Sequence, residues 1–255
     1  SPFMQTAAIF QGFTGMILSF AVWNAFWFFQ GLNFTALWVL AHEAGHGAFS
    51  PSKTINELVG FVLHSALLVP YHSWRVTHAT HHKYTNHLTQ DTVFVPKKLP
   101  EPLRDAVAES PIVSLLQFVG MLTAGWPAYL SFNVASQTYD RPANHFNPSS
   151  PLFRKHDKWG VIVSDIGLLI VFAIIGIAIK QTGFATVMCY YGVPYLWTNA
   201  WLVYITFMQH HDLRIPYYTE ERFNFVRGAL CSIDRDYGFC NAWLHHINDS
   251  HVVHH

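Results

Sequence analysis

Residues 5–40 include no charged side chain, and that run constrains the fold more than any other feature of the chain. As one helix it would be roughly 54 Å long at 1.5 Å per residue. A bilayer's hydrocarbon core is about 30 Å thick and takes about 20 apolar residues. The run is therefore read as the tail of one helix, to about Phe20, and a complete span over residues 21–41. Residues 159–179 and 184–208 are two more candidate spans, parted only by Lys180, Gln181, Thr182 and Gly183, as in a helical hairpin. Asp165 lies inside the first of these, and an acid at that depth is expected to face protein or water.

Two apolar stretches read less simply. Residues 58–71 are too few to span. Residues 112–132 are numerous enough, but Gly125, Trp126 and Pro127 are expected to interrupt them, giving an interfacial or re-entrant segment. Composition agrees with lipid as the solvent: 51% of residues are hydrophobic, 16% aromatic and only 12% charged, against about 25% charged in soluble domains. The formal charge is zero and no basic stripe favours nucleic acid. Fourteen of the 15 Lys and Arg residues adjoin histidine-bearing segments, Lys180 being the exception. Positive charge favours the cytoplasmic face, which puts the histidines there.

Histidine, at 17 residues, outnumbers Lys and Arg together. His42 and His46 stand at i and i+4, on one helical face. His78, His81 and His82 repeat the pattern H-x-x-H-H that recurs at His251, His254 and His255. Each triple faces one way on a helix. His210, with His211 and Asp212 after it, ends the last span. The remaining His64, His72, His87, His145, His156 and His246 read as solvated polar residues near the membrane surface. His42-Glu43-x-x-His46 also fits a zinc-protease motif, but a catalytic zinc takes three protein ligands and would leave most of these imidazoles unused. Eight or nine imidazoles suit two metal ions better than one, without naming the metal. Cys189, Cys231 and Cys240 give no disulfide framework or C-x-x-C spacing.

These boxes, with Ala41–Ser50, Gly60–Tyr71, Asp91–Pro96, Gly125–Asn133, Gln209-His210, Arg227–Gly238, His245 and Asp249–His255, resemble the membrane fatty-acid desaturase superfamily. The resemblance runs along almost the whole chain and is nearest to the acyl-lipid Δ12 and ω-3 desaturases of fungi and plants. It implies an all-α, multi-pass transmembrane fold of one domain over residues 1–255, apparently cut at both ends, with cytoplasmic histidine-box helices forming a di-iron site. The implied iron ligands are His42, His46, His78, His81, His82, His210, His251, His254 and His255, with no catalytic side chain beyond them. His211 competes with His210, and His245 occupies a recurrent position of open role. Ala44 replaces a frequent Cys on the face away from His42 and His46.

The implied activity is a non-haem di-iron oxidoreductase that introduces a cis double bond into an acyl lipid, Δ12 first, with O2 as co-substrate. Its electrons would come from cytochrome b5 and NADH-cytochrome b5 reductase, or a similar donor, because no b5-like segment is visible in the chain. An integral position in the endoplasmic reticulum membrane follows. Alternatives are an ω-3 (Δ15) desaturase, a hydroxylase, epoxygenase or acetylenase on the same scaffold, and more distantly a zinc hydrolase or a non-enzymatic metal protein. Glu43, Asp91, Asp212 and Asp249 are candidate acceptors for imidazole N–H groups. Residues 58–71 and 112–132 are candidates to line an acyl channel.

Overall fold

The computed structural model describes residues 13–96, 101–102, 105 and 110–255. Among these residues regular structure is helical, apart from one isolated bridge between His87 and Tyr218. Helix α1 (Phe13–His46) runs unbroken for 34 residues, so the expected division near Phe20 does not occur. No proline or charge interrupts that region, and its polar side chains bond back to their own helix. Asn24 Nδ2 donates to Phe20 O at 2.8 Å, and Thr35 Oγ1 donates to Gly31 O at 2.8 Å. Such bonds let polar residues sit in an apolar medium. Met16, Ile17, Phe20 and Val22 point outward, as lipid contact requires.

Helix α2 (Lys53–Ala66) is capped by Ser52, whose hydroxyl accepts from Ile55 N. It meets α3 (Tyr71–Lys83) at a 107° bend. Leu68 makes the corner in a left-handed conformation (φ 56°), and Pro70 precedes the first residue of α3.

Helix α4 (Pro111–Phe132) corrects a second expectation. It passes through Gly125, Trp126 and Pro127 as one regular helix, capped by Ser110 and ended by left-handed Asn133 (φ 52°). Pro127 forfeits a single ladder bond. The flanks of this segment nevertheless meet: Val95 N donates to Ala135 O at 3.0 Å. Residues 95 and 135, on either side of this stretch, are thus held side by side.

Helix α5 (Lys158–Thr182) turns at Gly183 (φ 88°) into the second arm of a hairpin. This arm comprises α6 (Phe184–Val187), a π-helical turn over Met188–Gly192, and α7 (Val193–His210). The π turn has an identifiable cause. Val193 N bonds back to Met188 O, and Pro194 has no N–H to offer, so the Cys189 carbonyl loses its helical donors. Trp27 Nε1 of α1 fills the gap at 2.9 Å. Asp165 on α5 is partly buried. Three helices among the described residues, α1, α4 and α5, are long and apolar enough to cross a membrane.

Three short helices follow: α8 (Phe225–Ala229), α9 (Cys240–Trp243) and α10 (His251–His254). Helix α7 packs against α1 and α4, while α5 packs against α2 and α3. The core lies where α1, α3, α4 and α7 converge, around Trp38, Val39, Trp74, Trp126, Leu202 and Val203.

Candidate metal centre

Four helix ends meet over this core. Helix α1 brings His42 and His46 in its last turns, and α3 brings His78, His81 and His82. Helix α7 ends on His210, and α10 carries His251 and His254 with His255 just after it. The i, i+4 and i, i+3 spacings aim the rings inward from each end.

Two groups result. In the first, His42, His46, His78, His82 and His254 place one nitrogen each within 4.8 Å of the others. The Nε2 atoms of His42 and His78 are 2.6 Å apart, those of His42 and His46 3.2 Å, and those of His78 and His82 3.0 Å. The second holds His81, His210 and His255, all buried. His210 Nε2 lies 3.3 Å from His81 Nε2 and 3.0 Å from His251 Nε2. Two nitrogens bound at right angles to one ion, each about 2.1 Å from it, would be about 3 Å apart. The observed separations match the edges of such a coordination shell.

The outer nitrogens of these rings show which way the lone pairs point. His81 Nδ1 donates to Asp91 Oδ1 at 2.7 Å, and His251 Nδ1 donates to Ile247 O at 3.2 Å. His255 Nδ1 donates to Thr85 Oγ1 at 3.0 Å, and the Thr85 hydroxyl donates in turn to His81 O. Each leaves an unprotonated Nε2 facing the centre, and His254 Nε2 and His255 Nε2 have no partner in the protein. Converging lone pairs repel unless a cation sits among them. Burial, then crowding by neighbouring imidazoles, lowers His251 and His254 to about 3, and pushes His78 and His255 well below the ordinary histidine range. These rings are neutral at physiological pH, the state in which imidazole binds metal. The donor set and its spacing fit metal ions.

Of the four candidate acids, two support imidazoles. Asp91 holds His81 and also takes the Asn86 and Val93 backbone amides. Glu43 Oε1 lies 3.2 Å from His42 Nδ1 and 3.5 Å from His254 Nδ1. It therefore stands behind the rings, on the side away from the converging nitrogens, where a zinc-protease general base would not serve. Asp212 instead pairs with Arg214 and Arg235, and Asp249 with His246. His211 stacks on Phe207 at 4.2 Å and stays outside both groups. His245 is exposed, in a left-handed conformation (φ 53°).

The histidines read as solvated divide. His156 and His246 are exposed. His64, His87 and His145 are buried: His64 among Trp38, Tyr71 and Trp74, His87 against Glu220, and His145 against Thr77. His64 shares one buried stripe of α2 with Asn56 and Gly60.

Two residues of the site were not anticipated. The Trp38 ring stacks on His42 at 5.4 Å, and the Trp74 ring stacks on His78 at 4.4 Å. The signal for both is W-x-x-x-H, which occurs once in α1 and once in α3.

Below the imidazoles lies a cavity of about 510 Å³ between α1, α4 and α7, its wall almost wholly apolar. Met121, Gly125, Trp126 and Tyr129 of the 112–132 stretch line it, whereas the 58–71 stretch contributes nothing, being turned toward α5 by the bend before α3.

The family model described as Fatty acid desaturase matches residues 15–255. A Delta(12) fatty acid desaturase of Mortierella alpina is 45% identical over 95% of this chain and 65% of its own length. A Delta(12)-oleate desaturase of Trichosanthes kirilowii is 44% identical over 92% of the chain and 64% of its own. An oleate hydroxylase of Claviceps purpurea is 42% identical over 93% of the chain and 56% of its own. The chain thus spans about two thirds, or less, of the curated relatives it matches.

Proposed function

The chain belongs to the fatty acid desaturase family, and from that premise we propose that it is the metal-binding and acyl-binding part of a membrane acyl-lipid desaturase acting first at Δ12. The observation that supports this best is the meeting of nine imidazoles at one end of an apolar cavity. His42, His46, His78, His82 and His254 would hold one iron. His81, His210, His251 and His255 would hold the other. Residues 1–255 act as one domain in this reading.

Bound iron would supply the four-electron reduction of O2 that drives the two-electron oxidation of the acyl chain. In the net reaction two C–H bonds on adjacent carbons break and one C=C bond forms. O2 takes up those two hydrogens, two further electrons and two protons, giving two waters. The chain's own residues supply placement. The cavity wall desolvates the acyl tail and presents one carbon pair to the imidazole face. Trp38 and Trp74 hold His42 and His78 from behind, and Asp91 fixes the ring orientation of His81. Electrons would come from an external donor of the cytochrome b5 type with its NADH-dependent reductase. The site would face the cytoplasm from the endoplasmic reticulum membrane, on the side where the Lys and Arg residues gather.

Hydroxylation of the same acyl position is the second reading, since one relative carries that name. An ω-3 desaturase shares the scaffold and differs in which carbon pair is presented. Expression of the full-length parent in yeast, with analysis of lipid fatty acids, separates them: a diunsaturated product with its new bond at Δ12 is expected. A hydroxylated product, or a bond at Δ15, would replace the primary reading. Cysteines placed at Asn144 and Gln181 should react with an impermeant thiol reagent from opposite sides of the membrane, Asn144 from the cytoplasmic one.

A further inference from the structure

The cavity has a floor. From His42 back to Thr35 on α1, and from His210 back to Val203 on α7, seven residues give about 10 Å of depth on each wall. Beyond that level the two helices touch. A Cβ at Gly31 would fall 2.3 Å from Trp197 Cβ and 3.1 Å from Pro194 O, so only glycine allows the approach. The hydroxyls of Thr35 and Thr198 both donate to the Gly31 carbonyl, at 2.8 and 3.1 Å. The inner end is therefore closed and apolar, and only the methyl end of an acyl chain can enter it. A polar headgroup must stay away from that end.

At the depth of this floor α4 presents Gly125 to the cavity, opposite Val203 of α7. A Cβ there would lie 3.5 and 3.7 Å from the two γ-carbons of Val203, ordinary contact without a clash. We propose that Gly125 and Val203 set how much acyl chain fits beyond the irons, and so determine chain-length preference. This rests on the acyl-desaturase reading of the site. The wall can gain one carbon at Gly125 or lose two at Val203 with little disturbance elsewhere, and each change alters the space left for the terminal methylenes. Burial of one methylene is worth about fourfold in preference, more in a tight pocket.

The test uses the full-length parent in yeast, supplied with two monounsaturated acyl chains differing by two methylenes. Gly125→Ala is expected to move the ratio of diunsaturated products about fourfold toward the shorter chain. Val203→Ala is expected to move it by a similar factor toward the longer, and the double variant to return near the wild type. Ratios unmoved in both variants, or moved in the same direction, overturn the inference while an active wild type leaves the desaturase reading standing. A wild type that desaturates neither chain overturns both. Should Gly125→Ala lose all activity, Val203→Ala decides alone, and an unmoved ratio there overturns the inference.

Discussion

The two imidazole groups share one kind of side chain but differ in construction. The first draws four of its five rings from the ends of α1 and α3, and His46 at its edge is exposed. The second takes His81, His210 and His255 from segments separated by up to 174 residues, and all three are buried. Its supports are correspondingly stronger: Asp91 is itself 3% exposed and 2.7 Å from His81, whereas Glu43 is 30% exposed and 3.2 Å from His42. Helix geometry almost suffices for the first group. The second exists only once α7, α10 and the turn at Asp91 have closed over the core.

The largest effects should come from removing rings. His46→Ala and His81→Ala are each expected to abolish desaturation while the protein still inserts, and metal analysis should find about one iron per chain in place of about two. Full activity in either variant would break the assignment of that group. Exposed His156 is the control, and His156→Ala should leave both iron content and product unchanged.

Chelation sharpens the difference between the groups. A water-soluble chelator should take about one iron quickly, from the group that includes exposed His46, and the second slowly. Loss of both at a single rate would show that the groups are coupled more tightly than their burial implies.

Next come the outer supports. Asp91→Ala leaves the buried His81 Nδ1–H without its acceptor and should weaken iron binding by about 10- to 100-fold. Glu43→Gln should cost only a few-fold, since that carboxylate sits at the lower end of second-sphere effects and is partly solvated. Competition with a chelator of known affinity measures both, and equal losses would remove the contrast.

What could be read in advance follows the same division. The spacing of His42 and His46, and of the repeated H-x-x-H-H, fixed which rings share a face, because that depends on helical period alone. Assignment to groups was not legible: His81 and His82 are neighbours in sequence yet belong to different groups, a matter of how α7 and α10 approach α3. Among the acids, Asp91 and Asp212 look equivalent beside the boxes. Only the fold brings Arg214 and Arg235 to Asp212 and points Asp91 at a ring. For α4, Pro127 counted as a breaker, but one missing N–H is a smaller loss than unwinding a helix that buries Trp126 and Leu130.

The smallest effect concerns α3 from behind. His145 lies in the segment after α4, fully buried, its Nε2 3.1 Å from Thr77 Oγ1, and belongs to neither imidazole group. Burial lowers its pKa to about 4 from an ordinary value near 6.5. Between those values the unfolded chain binds a proton that the folded one refuses, so stability rises with pH there. The contribution is complete above about pH 6.5 and is lost as pH falls toward 4, amounting to about 1 kcal/mol by pH 5.5. His145→Gln keeps a polar partner for Thr77 and cannot titrate. In detergent, the Tm difference between wild type and this variant should therefore shrink as pH is lowered from 7 to 5.5, while iron content at pH 7 stays equal in the two. Comparing the two proteins cancels the titration of the box imidazoles, which is common to both. A Tm difference that stays constant over that interval would place the proton elsewhere and leave His145 as packing alone.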